Sequence, residues 1–338
     1  MRQPRIKIAP EMGPAAYHCM SRTVNGERLF GDVERETFRR QMRQVADFCG
    51  IKILTHTVLS NHFHLLVLVP EAAPVSDQEL LRRYAVLYPK PTKYQAARLE
   101  AIRAQLATDG PLAVVWRKKQ WALMGDVSQF MKLLKQRFTR WFNRSHGRYG
   151  TLWSERFKSV LVEPLQPGLL TVSAYIDLNA VRAGMVLDPV DYRFCGYAEA
   201  VAGGVEAQQG LLIATGQTDW TAAQADYRQL LFGTGAGGRE HGSRIDAESL
   251  GQVIRNGGRL PLATLLRCRV RYFTAGAILG SRAFVQGQLA NYRARSGRVH
   301  AKVRELPHLT DWRGLTTLRA LRLGPAERAA IDSRTPLT

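Results

Sequence analysis

Two histidines separated by a single residue, His62 and His64, have the type and spacing best suited to chemistry in this chain. They open an apolar stretch, residues 63–69, whose composition predicts a β-strand. Because side chains alternate between the faces of a strand, both imidazoles lie on one face and Phe63 on the other. Two neutral imidazoles on one face can chelate a divalent metal ion. A bare pair of this kind also occurs often by chance, so the metal site needs support from other residues.

A tyrosine and an asparagine four residues apart offer that support. Residues 168–184 predict a helix that ends at Gly184, and on it Tyr175 and Asn179 share a face. A tyrosine hydroxyl can act as a covalent nucleophile, and an amide oxygen can complete the coordination of a hard metal ion. Without the histidines, Tyr175 would be interpreted as an ordinary half-buried aromatic side chain.

The elements that must position these side chains follow from the hydrophobic periodicity. The chain begins with the pattern strand, helix, strand, strand, followed by a mixed stretch at 71–125 that we interpret as an insertion. This mixture of strands and helices predicts an α+β fold. The predicted strands are 15–24, 51–58, 63–69 and 156–163, and the predicted helices are 33–49, 126–145 and 168–184.

Composition limits the class of protein. The chain has 338 residues and a formal net charge of +20, from 48 Lys and Arg against 28 Asp and Glu. Such an excess indicates a polyanionic partner, of which nucleic acid is the common one and a membrane surface the alternative. No apolar run approaches the roughly 18 residues that span a bilayer, and the N-terminus lacks the apolar core of a signal peptide. Four scattered cysteines without a CxxC pair indicate reduced thiols in a cytoplasmic protein.

Positive charge is concentrated in residues 111–160, which carry eleven Lys and Arg against two acidic residues. Aromatic side chains are interleaved with these cations. Cations contact phosphates and exposed aromatic rings stack on unpaired bases, so the stretch predicts a groove for single-stranded nucleic acid. Phe138 and Phe142 are expected instead to belong to the core face of the 126–145 helix.

The C-terminal third differs in composition. Glycine-rich breaks predict a linker at 201–243, and residues 244–338 predict a mostly helical extension. Two helical segments meet at Gly280 and Ser281, which predicts a helix-turn-helix whose second helix, about 282–295, contacts DNA. Nine Lys and Arg and no acidic residue lie between Arg267 and Arg304. A helical scaffold with a basic exposed face explains this pattern equally well.

Four separated stretches resemble the single-tyrosine HUH transposases, and particularly the REP-associated tyrosine transposases of bacteria. The stretches occur in the family's order and approximate spacing over about residues 10–200. They are Tyr17–Arg22, Asn61–Val67, Leu152–Lys158 and Tyr175–Gly184.

The resemblance implies a catalytic domain at 10–200 with a ferredoxin-like fold and an antiparallel sheet. It implies that His62 and His64 bind the metal ion, that Tyr175 is the nucleophile, and that Asn179 stands where a third polar ligand is expected. The metal would be Mg²⁺ or Mn²⁺. The implied activity is that of a metal-dependent endonuclease and strand transferase, a transposase that cleaves and rejoins single-stranded DNA at hairpin-associated repeats through a 5′-phosphotyrosine.

The sequence departs from the family's pattern at four places. The family usually has Gly where Thr23 stands, Met-Pro where Leu59 and Ser60 stand, His where Asp177 stands and Pro where Ala180 stands. None of these changes removes a catalytic group. They bear on DNA specificity more than on the chemistry.

The expected partner is single-stranded and hairpin DNA in the bacterial cytoplasm, at the nucleoid, with a monomer or a homodimer as the acting form. Two other functions fit the same residues. One is a DNA-binding protein on this fold that does not cut, and the other is a nuclease that activates water, in which Tyr175 is only structural. The residues expected to contact DNA are Arg22, Lys132, Lys135, Arg137, Arg140, Arg156, Lys158 and Arg182.

Overall fold

The first half of the chain builds a β-α-β-β-α-β unit. In the computed structural model, which describes residues 5–232, 262–266, 273–274, 276–296, 303–306, 312 and 314–319, the sheet of this unit is antiparallel with the order β2-β3-β1-β4. That connectivity and order are those of a ferredoxin-like fold, so the predicted α+β class is confirmed. The elements are β1 (Ala15–Arg22), α1 (Asp32–Cys49), β2 (Lys52–Val58), β3 (His62–Val69), α5 (Val127–Ser145) and β4 (Lys158–Val162).

Helix ends in this unit are defined by local chemistry. The carboxylate of Asp126 accepts hydrogen bonds from the backbone N–H groups of Ser128 and Gln129 and so caps α5. Helix α1 ends at Gly50, whose φ of 67° is the left-handed conformation that glycine adopts without strain. Both helices pack their apolar faces on the side of the sheet that carries Phe63.

The insertion at 71–125 forms three helices, α2 (Asp77–Val86), α3 (Lys93–Thr108) and α4 (Pro111–Trp121). These helices share a small apolar cluster around Ile102, Leu106 and Ala113 that is separate from the main core. Arg117 joins the first turn of α2 to α4 by a two-point contact with Asp77, in which both N···O distances are 2.7 Å.

Helices after β4 cover the other face of the sheet. They are α6 (Gly168–Asp177), α7 (Asn179–Arg182), α8 (Gly196–Val201), α9 (Val205–Thr215) and α10 (Trp220–Phe232). The predicted helix 168–184 is therefore interrupted at Leu178. The prediction of a linker at 201–243 is wrong for its described part, because residues up to 232 form helices with buried side chains such as Leu211 and Tyr227.

Residues beyond 260 add more strands to the same sheet. The elements described there are α11 (Leu262–Leu266), β5 (Gly276–Gly280), α12 (Arg282–Ser296), β6 (Val303–Glu305) and β7 (Thr316–Arg319). Strand β5 pairs in parallel with β4, and the full order among the described residues is β2-β3-β1-β4-β5-β7-β6. The unit β5-α12-β6-β7 has the same connectivity, the same internal strand order and the same antiparallel pairing as β1-α1-β2-β3.

The helix-turn-helix prediction at Gly280 and Ser281 is wrong, because a strand, not a helix, precedes Ser281. The short apolar run Ala277–Leu279 is compatible with a buried helix or a buried strand, and pairing with β4 decides between them. Of the cations in the predicted basic C-terminal run, Arg267, Arg269, Arg271, Arg298 and Lys302 lie outside the described residues.

One glycine explains why the region predicted to be a linker packs so tightly. A Cβ atom at Gly210 in α9 would lie 2.6 Å from the backbone oxygen of Leu54, and closer still to that of Ile53. Helix α9 therefore rests directly on the backbone of β2.

We expect Gly210→Ala to lower the free energy of unfolding by about 1–3 kcal/mol or more, because neither backbone oxygen can move without breaking the sheet. Urea denaturation measures this change. The control is Gly287→Ala in α12, where a Cβ would meet no atom within 4 Å. Equal stability of Gly210→Ala and the unaltered protein would contradict the close packing of α9 on β2.

No helix among the described residues is long and apolar enough to cross a bilayer. Three cysteines in the described ranges, Cys19, Cys49 and Cys195, are buried thiols, and Cys268 lies outside those ranges.

Candidate active site

The register of the sheet brings the two histidines to one face together with residues of β1. His64 pairs with Met20, and His62 pairs with Arg22, so His18 on β1 also lies on this face. Helix α6 covers the face, since the hydroxyl of Thr57 on β2 donates to the backbone oxygen of Ile176 at 2.7 Å. The predicted placement of His62 and His64 on a common strand face thus has its structural counterpart beneath the helix that carries Tyr175.

A buried chain of hydrogen bonds fixes the protonation of His64. His18 Nδ1 lies 2.8 Å from the backbone oxygen of Phe273, which can only accept, so Nδ1 carries the proton. Burial lowers the pKa of His18 to about 4, so its Nε2 is a lone-pair acceptor at neutral pH. That atom lies 2.8 Å from His64 Nδ1, which must therefore donate. Nε2 of His64 consequently bears a lone pair.

A second hydrogen bond orients His62 in the same way. Its Nδ1 lies 2.6 Å from Oδ1 of Asn61, and the amide nitrogen of Asn61 donates to the backbone oxygen of Gly26 at 2.9 Å. The amide orientation leaves Oδ1 as the acceptor, so Nδ1 of His62 carries the proton. His64 thus presents Nε2 as a lone-pair donor, and a neutral His62 with its proton on Nδ1 would do the same, which is the form in which imidazole binds a metal ion.

These residues fit a divalent metal ion. The ring centroids of His62 and His64 are 5.3 Å apart, and each ring is held through Nδ1 by a second residue, as metal-binding histidines usually are. Asn179, the predicted third ligand, is buried at the start of α7. Its role as a ligand stays a prediction. No cluster of three or more His, Cys, Asp or Glu side chains with metal-binding geometry occurs within the described ranges.

Tyr175 lies beside the histidines on α6. Its ring centroid is 6.5 Å from that of His64 and 6.2 Å from that of His18. The guanidinium of Arg182 lies 3.9 Å from the ring centroid, and Phe273 packs edge-on at 4.9 Å. Tyr175 is only 2% exposed. Access of a substrate to this side chain therefore requires neighbouring side chains to move.

Asp177, two residues after Tyr175, anchors the helix and does not face the histidines. Its carboxylate accepts from the hydroxyl of Thr55 at 2.7 Å and from that of Tyr227 at 2.6 Å. Burial raises the pKa of Asp177 to about 7, although the hydrogen bonds act in the opposite direction. The carboxylate connects the end of α6 to β2 and α10, so α10 contributes to the position of Tyr175.

Two exposed cations lie at the strand ends on the face of the histidines. Arg22 is directly opposite His62, and Lys158 on β4 pairs with Met20, which in turn pairs with His64. Both are exposed to solvent, and the ammonium of Lys158 contacts Glu155 at 2.8 Å. They form a cationic rim at the edge of the site.

The other predicted DNA-contacting residues divide into two groups. Lys132, Arg140 and Arg156 are exposed. The remaining three are engaged within the protein: Lys135 donates to Ser21 and to the backbone of Glu155, Arg137 to the backbone of Leu87, and Arg182 to the backbone of Leu266 and Tyr175. Burial also lowers the pKa of Lys135 to about 8.

The aromatic side chains of the basic stretch divide similarly. Phe138 and Phe142 are buried in the core, as predicted, and Trp116 packs on the cluster of the insertion. Trp121 and Tyr149 are exposed. Of these five aromatic side chains, only Trp121 and Tyr149 therefore expose a ring on which a base could stack.

Sequence reasoning missed three residues of the site. His18 and Asn61 both lie in stretches that resemble the transposase family, and the role of His18 depends on a partner 46 residues away. Asn61 precedes the histidine pair directly, and this adjacency is the one signal that could have identified it. Phe273 acts through its backbone oxygen, to which no side-chain pattern points.

A third buried histidine, His56, lies on the opposite face of β2, away from Thr55 and Thr57. Its ring is fully buried, its Nε2 is 3.7 Å from the carboxylate of Glu199, and neither ring nitrogen has a hydrogen-bond partner within the described part of the chain. Burial lowers the pKa of His56 to about 3, and nearby Arg43 acts in the same direction.

We expect the buried His56 to make the folded protein less stable in acid. Folding lowers the pKa of His56. Its contribution to the free energy of unfolding is therefore fully present above its pKa in the unfolded chain, about 6.5, and is lost as the pH falls towards 3. We expect its share of the unfolding free energy to fall by about 2 kcal/mol between pH 7.5 and pH 5. Urea denaturation at both pH values, compared with His56→Met, measures that share. An identical pH dependence in the two proteins would contradict this assignment.

Comparison with known proteins gives matches among solved structures alone. No protein-family model matches the sequence, and no curated protein matches it. Among solved structures, the fold is similar to that of a REP-associated tyrosine transposase bound to a REP hairpin, with a TM-score of 0.35 and 16% sequence identity. The match covers 60% of this chain and 87% of that one. A similarity at this level leaves the assignment of function to the residues of the site.

Proposed function

We propose that the chain is a DNA strand transferase that cleaves single-stranded DNA with Tyr175 as the nucleophile and a divalent metal ion held by His62 and His64. The observation that carries the proposal is the hydrogen-bond chain from Phe273 through His18 to His64. It gives the imidazole the protonation state that a metal ligand needs, directly beside a tyrosine. The resemblance of four stretches to tyrosine transposases supports the same residues.

The covalent step exchanges one phosphodiester for another. The hydroxyl oxygen of Tyr175 attacks phosphorus and loses its proton, the bond from phosphorus to the 3′ oxygen breaks, and the 3′ oxygen leaves as a hydroxyl. One P–O bond forms and one breaks, so no nucleotide cofactor is required and the reverse attack rejoins the strand. A bound Mg²⁺ or Mn²⁺ would supply charge stabilisation at the phosphate oxygens.

Residues of this chain have distinct parts in the step. The guanidinium of Arg182, 3.9 Å from the centroid of the Tyr175 ring, favours the negative charge that develops on the phenol oxygen. Asp177 and Tyr227 hold the helix that bears the nucleophile. Arg22 and Lys158 are placed to attract the DNA backbone to the histidine face.

The test is trapping of a covalent adduct. The 338-residue chain is incubated with Mn²⁺ and a 5′- and 3′-labelled pool of single-stranded oligonucleotides that carry a hairpin of random sequence. We expect the fragment 3′ of the cut to remain bound to protein after denaturation in SDS. DNA binding without an adduct would favour a non-cutting protein, and cleavage without an adduct would favour a nuclease that activates water.

A further inference from the structure

The outer face of α12 (Arg282–Ser296) has the chemistry of a helix that enters a DNA groove. We infer that this face docks in the major groove of duplex DNA, as the stem of a hairpin substrate. This inference rests on the proposed function, because the duplex is part of the same DNA that the protein cuts. It assigns the duplex part of the substrate to the C-terminal unit.

The inner face of α12 is fully accounted for by packing. Val285 and Leu289 are buried, and Phe284 and Tyr292 pack against the main core. Ser281 caps the helix and is itself held by the carboxylate of Glu163 at the end of β4, with contacts of 2.6 and 2.9 Å. The helix is therefore fixed to the sheet and presents a constant outer face.

The outer face carries amides, arginines and small residues and no acidic group. Gln286 and Asn291 are exposed, as are Arg282 and Arg293, and the helix contains no Asp or Glu anywhere along its length. Amide side chains pair with adenine and guanidinium groups with guanine in the major groove, which is about 12 Å wide and admits a helix. A surface of this charge and hydrogen-bonding capacity matches duplex DNA.

Gly287 is the observation that a purely structural role does not explain. It lies in the middle of the exposed face, and a Cβ there would meet no atom within 4 Å. Glycine weakens a helix interior relative to alanine, and packing against the described residues does not require it. Close approach of a DNA groove explains the glycine. Gly287 has no side chain and Ala290 has a small one, so a groove wall can come near the helix backbone.

The two β-α-β-β units differ in how far their helices are covered by the rest of the chain. In the first unit, α1 is covered by α5 and α2 and joined to α8 through Arg43 and Glu199. In the second unit, the outer side of the equivalent helix is exposed along its length, at residues from Arg282 to Ala294. In the described part of the chain, the repeated architecture thus leaves one of its two helices with a solvent-exposed outer side.

The test compares two matched substitutions in the 338-residue chain. Ala290→Leu enlarges an exposed residue on the outer face of α12, and Ala225→Leu makes the same change on the exposed face of α10. The probes are a fluorescent pool of hairpins with a randomised stem of about one helical turn, roughly 10 base pairs, and the single-stranded flank alone. Melting temperatures report whether each variant is folded.

We expect Ala290→Leu to weaken binding of the hairpin pool about tenfold or more, to leave binding of the flank unchanged, and Ala225→Leu to change neither. Gly287→Ala should raise the melting temperature and weaken hairpin binding, a combination that a scaffold helix would not show. Equal hairpin affinity in all variants would overturn the assignment of α12. Failure of the unaltered protein to bind either probe would instead overturn the proposed function.

Discussion

Replacing Tyr175 with phenylalanine is expected to abolish the covalent protein–DNA adduct while leaving the fold and the DNA affinity intact. The change removes one oxygen and keeps the ring, so the contacts with Arg182 at 3.9 Å and Phe273 at 4.9 Å remain. Without the hydroxyl no atom at this position can displace the 3′ oxygen. The adduct is measured by its reduced mobility in SDS gels after incubation with the labelled hairpin pool and Mn²⁺.

The matched control is Tyr197→Phe. Tyr197 is equally buried, and its hydroxyl contacts Arg228 at 3.3 Å, away from the histidines. This variant should form adduct at the rate of the unaltered protein. An adduct of normal yield with Tyr175→Phe would show that another residue is the nucleophile.

Replacing both His62 and His64 with alanine should remove metal binding and, with it, cleavage. Isothermal titration calorimetry with Mn²⁺ measures the binding independently of activity. Because His18 orients His64 through its ring nitrogen, His18→Phe should keep both ligands and yet weaken Mn²⁺ binding by about 10–100-fold. This graded effect separates the orienting residue from the ligands.

His146→Ala provides the control for the loss of a histidine as such. His146 lies at the end of α5, stacked on Phe142, and should not affect Mn²⁺ binding. Unchanged Mn²⁺ affinity in the double variant, or full cleavage in the presence of EDTA, would exclude the metal site at His62 and His64.

Strong local periodicity made the first half of the fold predictable. Helix α1 and strands β2 and β3 begin and end within a residue or two of their predicted bounds, and Asp126 caps α5 at the predicted helix start. The pattern failed where distant contacts decide the structure. Residues 276–280 are a strand because β4 is beside them, and the glycines after residue 200 permit a close helix contact at Gly210 instead of marking a linker.

In the candidate site, too, local patterns were predictable and distant contacts were not. The spacing of His62 and His64, and of Tyr175 on its helix, indicated which side chains could do chemistry. What sets their protonation and position comes from far along the chain: the backbone oxygen of Phe273 for His18, and the hydroxyl of Tyr227 for Asp177. A backbone oxygen has no sequence signature, and Tyr227 lies 50 residues along the chain from Asp177, so neither partner could be predicted from the local pattern.

The contact between His18 and the backbone oxygen of Phe273 determines which shortened versions of this gene can encode an active protein. A stop codon between codons 185 and 272 gives a product that still contains both histidines, the tyrosine and every matching stretch. The shortened product would still lack the oxygen that fixes the proton on His18, together with the strand that covers β4. Such alleles are expected to be loss-of-function, although a comparison of the four matching stretches alone would count them as active copies.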